Sequence, residues 1–357
     1  MNRRILIAGG GTGGHIFPGL AVAGFLLEKD VEVRWLGATR GMEAEIVSRA
    51  GIEISLVDVE GMHARGLGAG FRALSHLPTA ISSAWRLLLK WRPEAVLGVG
   101  GYASASGITA AGLLGIPWIL QEQNSVPGWT NQVFSPWADA ICCGFQDALD
   151  FFPSRPSVWT GNPVRKEFFE VEELQPAESP RILILGGSQG SLFLNRNLPR
   201  VLNHLRDSGL KLQVLHQTGS RWHEVVRTAY EDVGMDVHLE TFLPEPWKAM
   251  RDADLVIARS GALTISELAA AGRGALLVPF AAAAGNHQEF NARSLEKAGA
   301  AVVLRETEAE TDAFVQYLRE LLSDPQHLRE MGHAARKMAL PDAAARISRI
   351  LLSLGSR

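Results

Sequence analysis

An apolar run that enters a glycine-rich turn occurs twice in this chain. Arg4-Ile5-Leu6-Ile7-x-Gly9-Gly10 returns as Arg181-Ile182-Leu183-Ile184-x-Gly186-Gly187, at a constant offset of 177. A weaker echo aligns GGYASASGITAAGLLG, from Gly100, with SGALTISELAAAGRGA, from Ser260, and sets Gly101 on Gly261 and Gly112 on Gly272. A strand that runs into a glycine turn and then a helix presents backbone N–H groups and the positive end of a helix at its carboxyl end. Two copies predict an α/β chain of two doubly wound, parallel-sheet domains. The continuous apolar runs AVLGV, LVIA and ALLVPF suit strands covered on both faces. Ligands are expected over the carboxyl ends of both sheets, in the crevice between the domains.

A length of 357 residues fits that count. The stretch GNPVRKEFFEVEELQPAESPR, 161–181, is polar, acidic and proline-bearing, so the first domain is set at 1–162 and the second at 163–340. Residues 341–357 form an amphipathic helix with Ile347, Ile350, Leu351 and Leu354 on one face. Net charge is −3, which implies no global attraction to nucleic acid or anionic lipid. The two cysteines, Cys142 and Cys143, are adjacent and offer no metal-binding spacing; they read as buried strand thiols of a reducing compartment. Residues 95–121 carry no charge and are long enough to span a bilayer, but six glycines and Pro117 divide them into strand, helix and strand.

Gly9, Gly11 and Gly14 spell G-x-G-x-x-G, the dinucleotide fingerprint. A nicotinamide site also needs a carboxylate at the end of the second strand. VEVRWLGATRG ends at Gly37 without one; Arg40 alone would suit a 2′-phosphate. The second half offers a fuller nucleotide site. Ser260, Gly261 and Ala262 stand at a strand end, Thr264 falls in a first helical turn, and Glu267 lies three residues further on the same side. Helix capping by Ser260 or Thr264 explains the same residues. No D-x-D or His/Cys cluster suggests a metal, and the DAD at 252–254 reads as a strand entry. His15, directly after the first glycine loop, is either a general base or a residue that caps the helix or binds ligand.

The run GGGTGGHIFPGLAVA, GVGGYASASG, QEQNSVPGWTN, GNPVR, GGSQGS, RSGALTISELAAAG and NHQEFNA, in that order, resembles the MurG family of bacterial glycosyltransferases over nearly the whole chain. The resemblance implies the GT-B fold, two Rossmann-like domains with a C-terminal helix returning to the first. It implies inverting transfer of N-acetylglucosamine from UDP-N-acetylglucosamine to the C4 hydroxyl of MurNAc in undecaprenyl-pyrophosphoryl-MurNAc-pentapeptide, in peptidoglycan synthesis, with no cofactor and no metal. By the same resemblance Thr12, Gly13, Gly14 and Asn124 approach the donor sugar, and Arg165 and Ser188 its diphosphate. Leu243 faces the uracil, Ala262, Leu263, Thr264, Ile265, Ser266 and Glu267 hold phosphates and ribose, and Gln288 the sugar hydroxyls. Gly100, Gly101 and Tyr102 would receive the acceptor, with His15 as favoured base and Glu122 as second candidate. Asn286, Gly274 and Gln121 depart from the family's usual residues. The rival readings are a UDP-sugar 2-epimerase or another lipid glycosyltransferase of this fold, and a non-catalytic nucleotide-binding membrane scaffold.

From Gly61 to Pro93 there is no Asp or Glu. Arg65, Arg72, Arg86, Lys90 and Arg92 interleave with Phe71, Leu74, Leu77, Ile81, Trp85, Leu88 and Trp91 near helical spacing. This predicts a basic amphipathic surface on an anionic membrane, a peripheral protein of the inner leaflet facing the cytoplasm. A core-facing helix with basic ends is the alternative.

Overall fold

The computed structural model describes residues 3–39, 41–58, 67–173, 179–187, 189–309 and 311–355, with backbone only for 67–76, 284 and 311. Arg40, Arg65 and Ser188, and the side chains of Phe71, Arg72 and Leu74, lie outside the described residues. The chain divides into two compact units, Met1–Arg165 together with Leu340–Arg357, and Lys166–Ala339.

The first unit is built on seven parallel strands: β1 (Arg4–Ala8), β2 (Glu32–Ala38), β3 (Glu53–Val57), β4 (Ala95–Gly98), β5 (Trp118–Glu122), β6 (Ala140–Cys143) and β7 (Ser157–Trp159). Their order is β3-β2-β1-β4-β5-β6-β7, so the winding reverses between β1 and β4. The helices are α1 (Gly13–Leu27), α2 (Glu43–Arg49), α3 (Leu67–Trp91), α4 (Tyr102–Leu113) and α5 (Trp129–Phe134). β1 and β4 to β6 are almost wholly buried, as expected of strands covered on both faces. Cys142 and Cys143 are buried and free; burial pushes both thiols up, Cys143 to about 12, so they stay protonated.

The second unit repeats the plan with six strands: β8 (Arg181–Leu185), β9 (Gln213–Gln217), β10 (His238–Glu240), β11 (Leu255–Ala258), β12 (Ala275–Leu277) and β13 (Ala301–Val303). The order β10-β9-β8-β11-β12-β13 places its reversal between β8 and β11. Its helices are α6 (Leu192–Asp207), α7 (His223–Asp232), α8 (Pro246–Asp252), α9 (Ala262–Ala271), α10 (His287–Lys297), α11 (Thr311–Ser323) and α12 (Pro325–Lys337). Asp254 of the DAD segment is a strand-entry clamp. Its Oδ2 accepts from the Arg181 backbone N–H at 2.7 Å and from Arg181 Nε at 2.9 Å. The last helix, α13 (Ala343–Leu354), seats Ile347 and Leu351, both fully buried, among Ile5, Ile7, Ile16 and Val22 of the first unit.

The expected lipid-facing stripe of α3 needs correction. Leu88 is 1% exposed and lies in the core with Ala80, Ala84 and Trp91, and Trp85 is half-buried against the same cluster. Trp91 donates its indole N–H to Glu32 Oε1 at 2.8 Å. The sheet needs a cover, and the apolar face of α3 supplies it; sequence periodicity cannot tell a core from a bilayer. Among the described side chains of α3, those that remain outward are Pro78, Thr79, Ser82, Arg86, Leu89 and Lys90. Among the described residues no helix is long and apolar enough to cross a membrane.

The second unit's core contains a buried polar joint. The His216 ring is fully buried; its Nε2–H donates to Asn195 Oδ1 and its Nδ1 accepts from the Tyr230 hydroxyl, each at 3.0 Å. Asn195 Nδ2 donates to the Thr218 carbonyl at 2.9 Å, which fixes the amide and hence the imidazole tautomer. Burial depresses the His216 pKa to about 3. The unfolded chain binds this proton near pH 6.5 and the folded chain only near 3, so between those values acid favours unfolding by about 1.4 kcal/mol per pH unit. The stability advantage of the wild type over His216→Gln should therefore be about 2 kcal/mol smaller at pH 5 than at pH 7, read from urea unfolding. An advantage that does not change with pH would mean the ring is not held neutral.

Candidate active site

Both reversal points carry glycine turns at strand carboxyl ends, the place where doubly wound sheets bind ligands. In the first unit, Gly9–Thr12 links β1 to α1, and Val99–Gly101 links β4 to α4. The turns lean on each other. Gly101 has φ +82°, and a Cβ there would lie 2.6 Å from the Gly10 carbonyl oxygen. Gly100 has φ +98°, and a Cβ there would lie 2.7 Å from Nδ1 and Cε1 of His15. Two left-handed residues with no space for a side chain can only be glycine.

His15 sits half-buried in the first turn of α1. Its Nδ1 is 3.2 Å from Gln123 Oε1. Burial lowers its pKa; the Glu122 and Glu43 carboxylates, the Gln123 bond and the Val99 carbonyl oppose the shift without cancelling it. The imidazole is thus neutral at pH 7, the state in which it can accept a proton.

Glu122 is differently placed. It is 1% exposed, and both oxygens are engaged: Oε1 by the Asn124 N–H at 2.8 Å and Asn124 Nδ2 at 3.2 Å, Oε2 by the Gly128 N–H at 3.0 Å and Asn131 Nδ2 at 2.8 Å. It ties down the segment 124–131 and orients Asn124. Arg165 lays its guanidinium over the Phe17 ring of α1 at 4.8 Å. Tyr102 opens α4 half-buried.

The sequence reading missed Glu43. No carboxylate ends β2, but Glu43, fully buried at the start of α2, turns back to fill the loop from behind. Its Oε1 accepts from the Ala38 N–H at 2.8 Å and its Oε2 from the Gly11 N–H at 3.1 Å. A Cβ at Gly10 or Gly41 would overlap its carboxylate, and one at Gly37 would lie 2.7 Å from its Cγ. A loop N–H of the kind that takes a cofactor phosphate is held by the protein's own anion. Glycines two and six residues before the Glu, Gly41 and Gly37, were the available signal.

In the second unit, Gly186–Gly190 links β8 to α6. Gly187 and Gly190 have φ +81° and +73°, and a Cβ at Gly190 would overlap the Thr218 carbonyl. Gln217 Nε2 donates to the Gly187 carbonyl at 2.9 Å, so the end of β9 clasps this loop. α6 is capped by its own Ser191, whose Oγ accepts from the Leu194 N–H at 3.3 Å. α9 is not capped in this way. Its N-cap is Gly261, without a side-chain bond, and the Ser260 hydroxyl donates instead to the Gln288 carbonyl at 2.8 Å. The helix-cap alternative for Ser260 is thereby set aside, and α9 offers a helix N-terminus without a side-chain cap to an anion. α1 and α4 also start without side-chain caps.

Around α9, Leu263 and Thr264 are half-buried, Ala262 and Ile265 are buried, and Glu267 is 9% exposed. Ser266 turns its hydroxyl back to the Ala262 carbonyl at 2.9 Å. Gln288 Oε1 accepts from the Phe280 N–H at 3.0 Å, which leaves the amide nitrogen as its donor end. Leu243 is half-buried in the loop after β10. Asn286, one of the departing residues, stands at φ +55° as the N-cap of α10. Gly274 packs against Met331 and Leu328 of α12. Among the described residues no group of three His, Cys, Asp or Glu could hold a metal.

Gly100 yields a direct test. Gly100→Ala should lose about 1–3 kcal/mol of stability through its left-handed backbone, and turnover should fall more than about tenfold as the His15 ring is displaced. Gly51→Ala, φ +74° in open space, should show the strain without the loss of turnover. Equal turnover losses would detach His15 from the chemistry.

Comparison with known proteins agrees with this geometry. Residues 5–143 match the glycosyltransferase family 28 N-terminal domain and residues 181–347 the glycosyltransferase family 28 C-terminal domain. A Nitrosococcus oceani protein named UDP-N-acetylglucosamine--N-acetylmuramyl-(pentapeptide) pyrophosphoryl-undecaprenol N-acetylglucosamine transferase is 41% identical, with 99% of each chain covered. A protein of the same name from Anaeromyxobacter sp. strain K is 38% identical over 99% of this chain and 94% of its own. The crystal structure of Acinetobacter baumannii MurG superposes with a TM-score of 0.80 at 34% identity, covering 98% of this chain and 99% of that one. The chain belongs to the MurG family, within glycosyltransferase family 28.

Proposed function

We propose that this chain transfers N-acetylglucosamine from UDP-N-acetylglucosamine to the C4 hydroxyl of MurNAc in undecaprenyl-pyrophosphoryl-MurNAc-pentapeptide, with inversion and release of UDP. The observation that carries this is the neutral histidine held at the first unit's glycine turns; the second unit by itself offers a helix N-terminus free of a side-chain cap. The curated relatives, whose name states this reaction, support it. The chemistry divides accordingly. The acceptor oxygen bonds to the anomeric carbon, and the bond from that carbon to the β-phosphate oxygen breaks. The electron pair leaves with UDP, and the acceptor proton goes to His15 Nε2. The N–H groups of α9, with Arg165, suit the diphosphate charge that develops, without a metal. Glu267 suits the ribose hydroxyls and Gln288 the sugar. Thr12, Gly13, Gly14 and Asn124 are assigned to the donor sugar, Gly100, Gly101 and Tyr102 to the acceptor. Glu122 serves by holding Asn124 in place.

The test is UDP release with a short-chain analogue of the lipid acceptor. Release should require the acceptor and yield a disaccharide. His15→Ala should lower turnover by about 10²–10⁴ while donor binding is kept. The wild-type acid limb should lie below the ordinary histidine value near 6.5, because burial delays the protonation that removes the base. Donor binding without disaccharide would sink the transferase reading and bring the epimerase or scaffold forward.

The same reading makes the protein peripheral on the cytoplasmic face of the inner membrane, meeting its undecaprenyl-linked acceptor there. Exposed Arg86 and Lys90 on α3 suit anionic lipid. At ~1 kcal/mol per basic residue, Arg86→Glu with Lys90→Glu should weaken binding to anionic vesicles at least ~30-fold and leave UDP binding intact. Unchanged co-sedimentation would move the contact elsewhere.

A further inference from the structure

We propose that Gln123 is a positioning residue that fixes the tautomer of His15, holding the proton on Nδ1 and the lone pair on Nε2. This rests on the reading of His15 as the base and adds the device that aims it.

Gln123 follows β5 and is 3% exposed. Its side-chain amide is oriented from the other end: Nε2 donates to the Val99 carbonyl at 2.8 Å and also contacts the Gln121 side-chain oxygen. Turning the amide over would set its oxygen against the Val99 carbonyl oxygen and its N–H₂ against His15. With Nε2 committed as donor, Oε1 is an acceptor, and the His15 nitrogen 3.2 Å away must bring the proton. A neutral imidazole protonated on Nδ1 carries its lone pair on Nε2.

Gln123 is itself held. Its carbonyl accepts from Asn162 Nδ2 at 2.9 Å, and Gln121 Nε2 donates to Asn162 Oδ1 at 2.9 Å. Gln121, Gln123 and Asn162 are all buried. The Gln121 departure and the asparagine of GNPVR thus belong to one network of neutral amides behind the histidine. The ring cannot swing away on its Gly100 side, where a Cβ would already be in contact.

The choice of an amide has a chemical consequence. A carboxylate in this place would also fix Nδ1–H, but it would stabilise the imidazolium and raise the basicity of the resting ring. An amide fixes the tautomer with far less of that effect. An amide alone could present either end and so select the wrong tautomer; the Val99 carbonyl removes that freedom. The charged groups facing His15 are the carboxylates of Glu122 and Glu43. Both are fastened to backbone N–H groups, so neither substitutes for Gln123 as the Nδ1 partner.

The experiment is long-range ¹H–¹⁵N correlation on full-length protein labelled with ¹⁵N-histidine, with His15 assigned from the signal lost in His15→Ala. The wild type should show Nδ1 protonated and Nε2 bare at pH 8. Gln123→Met, of similar volume and without the acceptor, should lose that signature. Its kcat should fall about tenfold or more, with KM for UDP-N-acetylglucosamine within about twofold. Gln123→Glu accepts from Nδ1 whether ionised or protonated, so it should restore the signature and move the acid limb of kcat upward. A Met variant that keeps the Nδ1–H signature, or keeps wild-type kcat without it, overturns the proposal. Full turnover in His15→Ala would instead overturn the base reading, and the spectrum would still show whether Gln123 sets the tautomer.

Discussion

The first unit depends on one backbone contact, the approach of the β4–α4 turn to the β1–α1 turn. Gly101 can rest on the Gly10 carbonyl because neither carries a side chain and Gly101 is left-handed. That approach brings Gly100 under the His15 ring and sets the start of α4 beside the start of α1. It also lets the Val99 carbonyl meet Gln123. A methyl group added at Gly101 would press on the Gly10 carbonyl, and one added at Gly100 would press on the His15 ring. The site is a consequence of sheet topology: adjacent strands that send their helices to opposite faces leave their turns to meet at the carboxyl edge.

The second constraint is the treatment of the glycine loop as an anion site. In the first unit the Gly11 N–H is held by the buried Glu43 carboxylate. In the second, α9 starts without a side-chain cap, because Ser260 is spent on the Gln288 carbonyl. The two halves share a plan, and α4 and α9, which the repeat aligns, both start without a side-chain cap, whereas α6 is capped by Ser191. A G-x-G-x-x-G sequence in the first half therefore does not by itself mark a cofactor phosphate site, since one of its N–H groups is already taken.

What was legible in the sequence was whatever depends on neighbours along the chain. The strand–turn–helix repeat, the charge-free strands and the amphipathic last helix are local patterns, and the structure contains each of them. What was not legible depends on partners distant in sequence. Glu43 reaches Gly11 from 32 residues away, and Gln123 reaches His15 from 108. At Trp85 and Leu88 the expected stripe of α3 turned inward for a related reason. Trp85, Leu88 and Trp91 have the spacing of a membrane face, yet they cover the sheet. Periodicity says that a face is apolar and is silent on what it meets.

The two units also hold a histidine each in the neutral form, by the same physics and to different ends. His216 is wholly enclosed, and both ring nitrogens are consumed by Asn195 and Tyr230. Such a ring can only brace; here it fixes Asn195, which fixes the Thr218 carbonyl against which Gly190 packs. His15 is only half-buried as a residue, with the Gln123 side chain at Nδ1 and the Val99 carbonyl beside the ring. Two internal partners make a neutral imidazole a brace; a ring without a second such partner keeps a nitrogen that could accept a proton. Burial sets the protonation state in both cases, and the number of internal partners decides whether that state can do chemistry.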